Sequence, residues 1–219
     1  MEKLSAWIPE DILKKYEVLN YNHAAEILSQ SFKKEFNEIA EALRLFKISI
    51  DEITEAGGNE SPIPPKLSRT LRPLGWEEIR ISGDLIVKFY PRSSGHKCAY
   101  SDTPNNEKII PGYIDGHNID YIKGRVAVDM EWNSKDQTFD RDLFAMRTYY
   151  ECDIISVGVI ITRSESLNRV FKNLNVMKKY GTSTTWMGKL TPRLDSRRHG
   201  GCPILAVGIT PECVEGFFE

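Results

Sequence analysis

The clearest alternation of apolar and polar positions lies in residues 118–133. Read with the two-residue period of a strand, Val126, Val128, Met130 and Trp132 point one way, and Arg125, Ala127, Asp129 and Glu131 the other. The pattern then changes. Phe139, Leu143, Met146 and Tyr150 fall at helical spacing, and residues 154–162 form a nearly continuous apolar run, as a fully buried strand requires. Strand, helix, strand predicts a parallel pair joined by a right-handed crossover. Ser164 is placed to cap a helix carrying Leu167, Val170, Phe171 and Leu174, and residues 202–209 read as another buried strand. Residues 180–190 read as a loop and a short helix start, which Pro192 should limit.

The first third reads helical. Pro9 suits a first helical turn before Ile12, Leu13 and Tyr16, and Asn22 could cap a second helix with Ala24, Ile27 and Leu28. The third and strongest helix spans 32–47, with Phe32, Phe36, Ile39, Leu43 and Phe46 on one stripe; it ends before Gly57-Gly58. Four prolines between 57 and 75 predict an extended connection. A strand follows at 77–90, broken by a hairpin-like turn at Ser82-Gly83-Asp84, and 91–112 reads as a long polar loop. The expected fold class is α/β (α+β): a mixed β-sheet flanked by helices, with a helical N-terminal part at 1–56 and a catalytic core at 76–213. The chain 1–219 reads as one domain, with no convincing boundary after residue 57.

Composition narrows this little. Apolar residues make up 41% and charged residues 27%, ordinary for a globular protein. No apolar run approaches the roughly 20 residues that span a bilayer, and the N-terminus lacks a signal-peptide core, so cytoplasm and no membrane partner are expected. The four cysteines form no CxxC pair and are expected to be reduced. His199, Cys202 and Cys213 are zinc-ligand types, but no fourth is spaced to complete a site. The net charge is −2, yet residues 163–201 hold nine Lys or Arg against two acids, +7, leaving −9 elsewhere. A basic segment in an acidic chain suits phosphate contact; a solvated helix face explains it equally.

Chemistry gathers at Asp120, Asp129 and Glu131. Strand residues two apart share a face, roughly 6.6 Å from each other, so Asp129 and Glu131 present two carboxylates with a third just upstream. Hard oxygen donors of this kind suit a divalent cation, which can activate water and stabilise charge on a phosphate. An exposed strand with two solvated acids is the plain alternative. The apolar opposite face and the downstream strand–helix–strand unit favour a core strand with a carboxylate edge.

Asp120, then Asp129-Met130-Glu131 on a strand, then a helix and an apolar strand, resembles the PD-(D/E)xK nuclease core. More narrowly, the chain is similar to the BglII/BstYI family of type II restriction endonucleases. The likeness rests on Tyr21-Asn-His-Ala-Ala-Glu-Ile-Leu28, on Arg125 to Asn133, on Asp140-Arg-Asp-Leu143 and on Ser156 to Arg163, in that order. It covers most of residues 20–210, with 91–112 unaligned. It departs from the superfamily pattern at Asp129, where Glu is commoner, and at Glu131, where a lysine is usual.

The resemblance implies magnesium-dependent hydrolysis of double-stranded DNA at a short palindromic site, centred on GATC by analogy, by a homodimer whose cell holds a cognate methyltransferase. It implies a magnesium site, of one or two ions, on Asp120, Asp129, the Met130 carbonyl and Glu131, with Glu131 also managing the attacking water. It places DNA contacts on Asn133, Ser134, Lys135, Gln137 and Arg141, the loop leaving the catalytic strand. A second candidate surface is Thr182, Ser183 and Thr184 with Lys189 and Arg193, where hydroxyls and free amides suit a phosphate; a simple helix cap fits as well. Lys123 and Lys135 are the nearby candidates to replace the absent lysine. His117 and His23 read as hydrogen-bonding or structural rather than as general bases. Two other readings stay open: a structure-specific repair or junction nuclease of the same fold, and a DNA-binding relative without catalysis. A metal enzyme of small molecules is disfavoured by the basic segment and by the lack of GxGxxG or a P-loop.

Overall fold

A computed structural model describes residues 4–55, 61–92 and 99–217. The N-terminal part opens with α1 (Glu10–Lys15), β1 (Tyr16–Tyr21), α2 (Ala24–Ser31) and α3 (Lys33–Leu45). Two short helices follow, α4 (Ile50–Thr54) and α5 (Pro64–Leu71), before the strands β2 (Glu77–Phe89), β3 (Asn106–Lys123) and β4 (Val126–Met130). Then come α6 (Thr138–Glu151), β5 (Val157–Arg163), α7 (Asn168–Asn173), α8 (Met187–Asp195) and β6 (Ile204–Ile209). Contacts gather into two units, Met1–Ile79 with Ile119–Glu219, and Arg80–Asn118.

The strands form one mixed sheet in the order β1-β6-β5-β4-β3-β2. In the larger unit β4, β5 and β6 run parallel, while β1 is antiparallel to β6 and β3 to β4. Every position of β4, β5 and β6 is buried, which explains why these stretches read as apolar runs. Val126, Val128, Met130 and Trp132 join one core cluster with α3 and α7, so the alternation assigned the faces correctly. α3 buries Phe36, Ile39, Ala40 and Leu43 at the spacing of an amphipathic helix. The fold is the mixed-sheet α+β arrangement expected of a restriction-endonuclease-like core.

Helix α6 crosses from β4 to β5 and sits close on the sheet. A Cβ on Gly158 of β5 would lie 2.5 Å from Met146 Sδ and 2.9 Å from Ile204 Cδ1, so only glycine admits the helix at this distance. At its first turn α6 is tied to α8: Arg193 Nε and Nη2 donate to Asp140 Oδ1 and Oδ2, each at 3.0 Å.

Several local expectations are overturned. Tyr16–Tyr21 is a strand, not helix, because its backbone pairs with β6 over six residues; tertiary pairing overrides the helical reading of the first third. Asn22 does not cap α2: His23 is the residue before the helix, with φ 62° and no cap bond from its own side chain, and the first-turn Ala25 N–H donates instead to Asn20 Oδ1 at 2.9 Å. The proline-rich stretch holds α5, with Pro64 and Pro65 in the first helical turn, where a missing N–H costs nothing. β2 passes through Ser82-Gly83-Asp84 unbroken, since a Cβ on Gly83 would meet Ile114 Cδ1 at 3.1 Å and glycine lets the ribbon pack there. β3 begins at Asn106, so the loop after β2 is shorter than 91–112; its residues 93–98, like Gly57-Gly58, lie outside the described residues. Pro192 lies inside α8, which ends one turn later. On α6 the buried tyrosine is Tyr149, with Tyr150 turned outward.

Candidate active site

The β3–β4 hairpin brings the first two acids together. Tyr121 pairs with Val128 and Lys123 with Val126, so one further step of register sets Asp120 against Asp129. The turn is Gly124-Arg125, and Gly124 takes a φ of 55°, a conformation that glycine adopts without penalty. Beyond the ladder the two carboxylates complete the backbone pairing. Asp129 Oδ1 accepts from the Asp120 N–H at 2.9 Å, and Asp120 Oδ2 accepts from the Met130 N–H at 3.0 Å.

Glu131 follows on the same strand line. Its N–H donates to Ile161 O at 2.9 Å and its carbonyl accepts from Thr162 Oγ1 at 2.8 Å, fixing its backbone to β5. From α6, Asp142 enters the same group of acids on the helix's buried face, with 4% of its surface exposed. Arg141 Nη2 lies 3.2 Å from Asp142 Oδ1 and 3.8 Å from Glu131 Oε1, bridging the two. Glu131 Oε2 and Asp142 Oδ2 are buried without a hydrogen-bond partner.

Burial at close quarters raises the pKa of every acid in this group. Burial pushes Asp129 up to about 8, reinforced by the charge of Asp120. Asp142 is pushed up to about 9 by burial and then by Asp129 and Glu131. Burial also raises Asp120, against the Met130 N–H that favours its anion, and Glu78 raises it further while Arg72 and Arg141 oppose. Glu131 is raised by burial, against a bond from Ser134. Arg141 would lose basicity by burial, but Asp142, Glu131 and Asp129 together raise it. The four carboxyls outnumber the guanidinium groups that act on them, Arg141 on all four and Arg72 on Asp120.

This donor set fits a hard divalent cation: it is all oxygen, it is buried at Asp129 and Asp142 and half-buried at Asp120 and Glu131, and two of its oxygens are unpartnered. Among the described residues no three His, Cys, Asp or Glu side chains already converge as a metal cage. In the hairpin Asp120 and Asp129 each engage one oxygen with a backbone N–H.

The two loops predicted to meet DNA meet each other. Thr185 N donates to Ser134 O at 2.9 Å, Ser134 N to Thr185 Oγ1 at 3.1 Å and Asp136 N to Ser183 O at 3.0 Å, while Lys135 bridges to Thr184. Lys135, Gln137, Thr182 and Ser183 are exposed. Asn133, with φ 60°, turns the chain out of the strand, and its Nδ2 is committed to Lys179 O at 3.2 Å. Lys189 Nζ stands 3.7 Å from Asp136 Oδ2, and Arg193 is held by Asp140. Thr184 Oγ1 donates to Gly181 O at 2.6 Å.

The sequence profile of the family Restriction endonuclease BglII/BglIII matches residues 16–209. The chain belongs to that family. No curated protein matches it. As a BglII-family enzyme it is a type II site-specific deoxyribonuclease, a hydrolase that acts on double-stranded DNA.

Within this BglII-family site, the structure brings Asp120, Asp129, Glu131 and Arg141 together and leaves Lys123 outside. Lys123 Nζ is clamped by Glu38 at 2.6 and 2.7 Å and by Leu74 O at 2.7 Å, so it is not available to replace the missing lysine. His117 lies 3.3 Å from Asp115, and His23 is exposed beside Glu26. His199 Nδ1 lies 2.7 Å from Cys202 O. Asp142 was not among the expected site residues. Its signal was present: an acid three residues after Phe139 and four before Met146 sits on the apolar stripe of a helix. Arg72, just before β2, and Glu78, at its start, act on Asp120 and carry no such periodic signal.

Proposed function

We propose that this endonuclease hydrolyses DNA phosphodiesters with magnesium at the Asp120–Asp129–Glu131 cluster, at a short palindromic site, as a homodimer. The observation that carries the reading is the group of four buried and half-buried carboxyls, two of their oxygens unpartnered, beside the Arg141 guanidinium. Asp120 and Asp129 would hold the cation, with the Met130 carbonyl a further ligand and Glu131 at its edge; one or two ions would fit. Bound magnesium would supply Lewis-acid charge at the phosphate. Glu131 Oε2 is the group that orients the attacking water and takes its proton. Arg141 stands where it can offset charge on the phosphate, the role a lysine at position 131 would have had, because a carboxylate cannot stabilise developing negative charge.

The paired loops at 133–137 and 182–184 would read and grip the duplex. Amide and hydroxyl side chains suit base edges, and the exposed Lys135 adds positive charge toward the backbone, whereas Lys189 and Arg193 are engaged by Asp136 and Asp140 and support the loops from behind. A two-fold dimer on a two-fold site accounts for cleavage of both strands. A GATC-centred sequence is the expectation by family analogy. A nuclease of this kind serves restriction-modification defence in the cytoplasm, and a methyltransferase of the same specificity must protect the host DNA.

Asp129→Asn should abolish cleavage of a site-containing duplex while a gel-shift assay in calcium still records binding. Arg141→Ala should lower the rate at saturating DNA by about 100-fold, or roughly 2.7 kcal/mol of transition-state stabilisation. Normal cutting by Asp129→Asn would refute the site, and normal cutting by Arg141→Ala would refute that residue's role.

A further inference from the structure

Arg163 ends β5 and is 1% exposed. A buried guanidinium normally has a carboxylate beside it. This one has none among the described residues; burial drives its basicity down to about 10, with only Tyr180 acting the other way. Its guanidinium carbon instead lies 5.8, 5.5 and 5.2 Å from the ring centres of Trp132, Phe171 and Tyr180. Phe171 and Tyr180 are stacked at 3.9 Å, and Trp132 meets Tyr180 edge-on, so the cation sits among aromatic faces. A methionine or leucine would fill this space without the cost of desolvating a charge. What an apolar residue could not do is donate. Arg163 Nε donates to Thr185 O at 3.1 Å and Nη2 to Thr184 Oγ1.

Those two acceptors belong to the loop that pairs with residues 134–136. On its other side β5 is hydrogen-bonded to β4, with Ile161 paired to Met130 next to Asp129. One buried cation therefore joins the strand beside the acid cluster to both exposed loops. We propose that Arg163 is a positioning residue for DNA reading: it fixes the 181–185 loop, and through it the 133–136 loop, in register with the carboxylates of β4. The proposal rests on the reading of those loops as the DNA-facing surface. Loss of the donors would leave the catalytic groups in place and loosen the loops that select the site.

The test is Arg163→Met, which keeps the length of the side chain and removes its donors, with Arg163→Lys as the conservative variant. Three quantities are measured in the full-length protein: the thermal midpoint, the exchange protection of the Thr185 and Asp136 amides, and kcat/KM on the cognate site against a site altered at one base pair. Arg163→Met should keep or raise the midpoint, lower both amide protections at least tenfold and lower discrimination between the two sites at least tenfold. Its kcat on saturating cognate DNA should change less than threefold, and Arg163→Lys should recover part of the discrimination. Unchanged protection or unchanged discrimination in Arg163→Met, with a site-specific wild type, overturns the proposal. If Arg163→Met does not fold, Thr184→Val, which deletes one acceptor, must lower discrimination and loop protection, and wild-type values there overturn it. A wild type that cuts DNA without a fixed site would refute the reading beneath the proposal as well, whatever the amides report.

Discussion

Glu131 occupies the position where a lysine is usual, and its surroundings say what that exchange entails. Its backbone is held by Ile161 and Thr162, so the side chain is aimed by the sheet and not by a loop. On the proposed reading, a carboxyl there supplies no positive charge, which would move the burden onto Arg141 and a bound cation. Glu131→Ala should therefore lower the single-turnover cleavage rate by orders of magnitude. Specific DNA binding should stay within about tenfold, or roughly 1.4 kcal/mol. Cleavage at the wild-type rate would remove Glu131 from the mechanism. At this scale Asp120, Asp129 and Glu131 could be picked out from the sequence because one tight β3–β4 hairpin keeps them close in the chain. The sequence was silent on Glu78 and Arg72, which reach Asp120 from a distant segment, and Asp142 could be read only by noticing an acid on an apolar helix stripe.

At the scale of elements, the parallel core was legible because β4, β5 and β6 are buried on both faces and leave apolar runs behind. β1 was not. Its backbone is claimed by β6, some 190 residues away in the chain, and no local pattern records such a pairing. α5 was hidden by its prolines, which break a helix interior but open a first turn. The placement of α6 matters most for function, because it delivers Arg141 and Asp142. Gly158 is what allows it to lie close on β5. Gly158→Ala should push Met146 and Ile204 aside and cost about 1–3 kcal/mol, seen as a lower urea midpoint with an unchanged denaturant slope. A midpoint equal to that of the wild type would mean that the helix has room to spare.

For the whole molecule, the acid cluster makes stability depend on pH. A carboxyl raised in the folded state keeps its proton to higher pH than it does in the unfolded chain. Its contribution is whole below the unfolded value near ~4 and is lost as pH rises through the folded value, about 9 for Asp142 and about 8 for Asp129. Metal-free protein should therefore lose stability steadily from weakly acid to weakly alkaline pH. Asp142→Asn should raise its melting temperature at pH 8 by at least ~2 °C, the shift that about 1 kcal/mol produces in a chain of this size. Little change is expected at pH 4.5, and an equal gain at both values would place the effect outside the ionisation of Asp142. The central claim is that this cluster cuts DNA at a defined sequence with a divalent cation. Digestion of a sequenced plasmid with and without magnesium, followed by mapping of the ends, tests it most directly. Discrete fragments that share one short palindrome at their ends, and no cutting in EDTA, are the predicted result. Random ends, or equal cutting without any divalent cation, would contradict it.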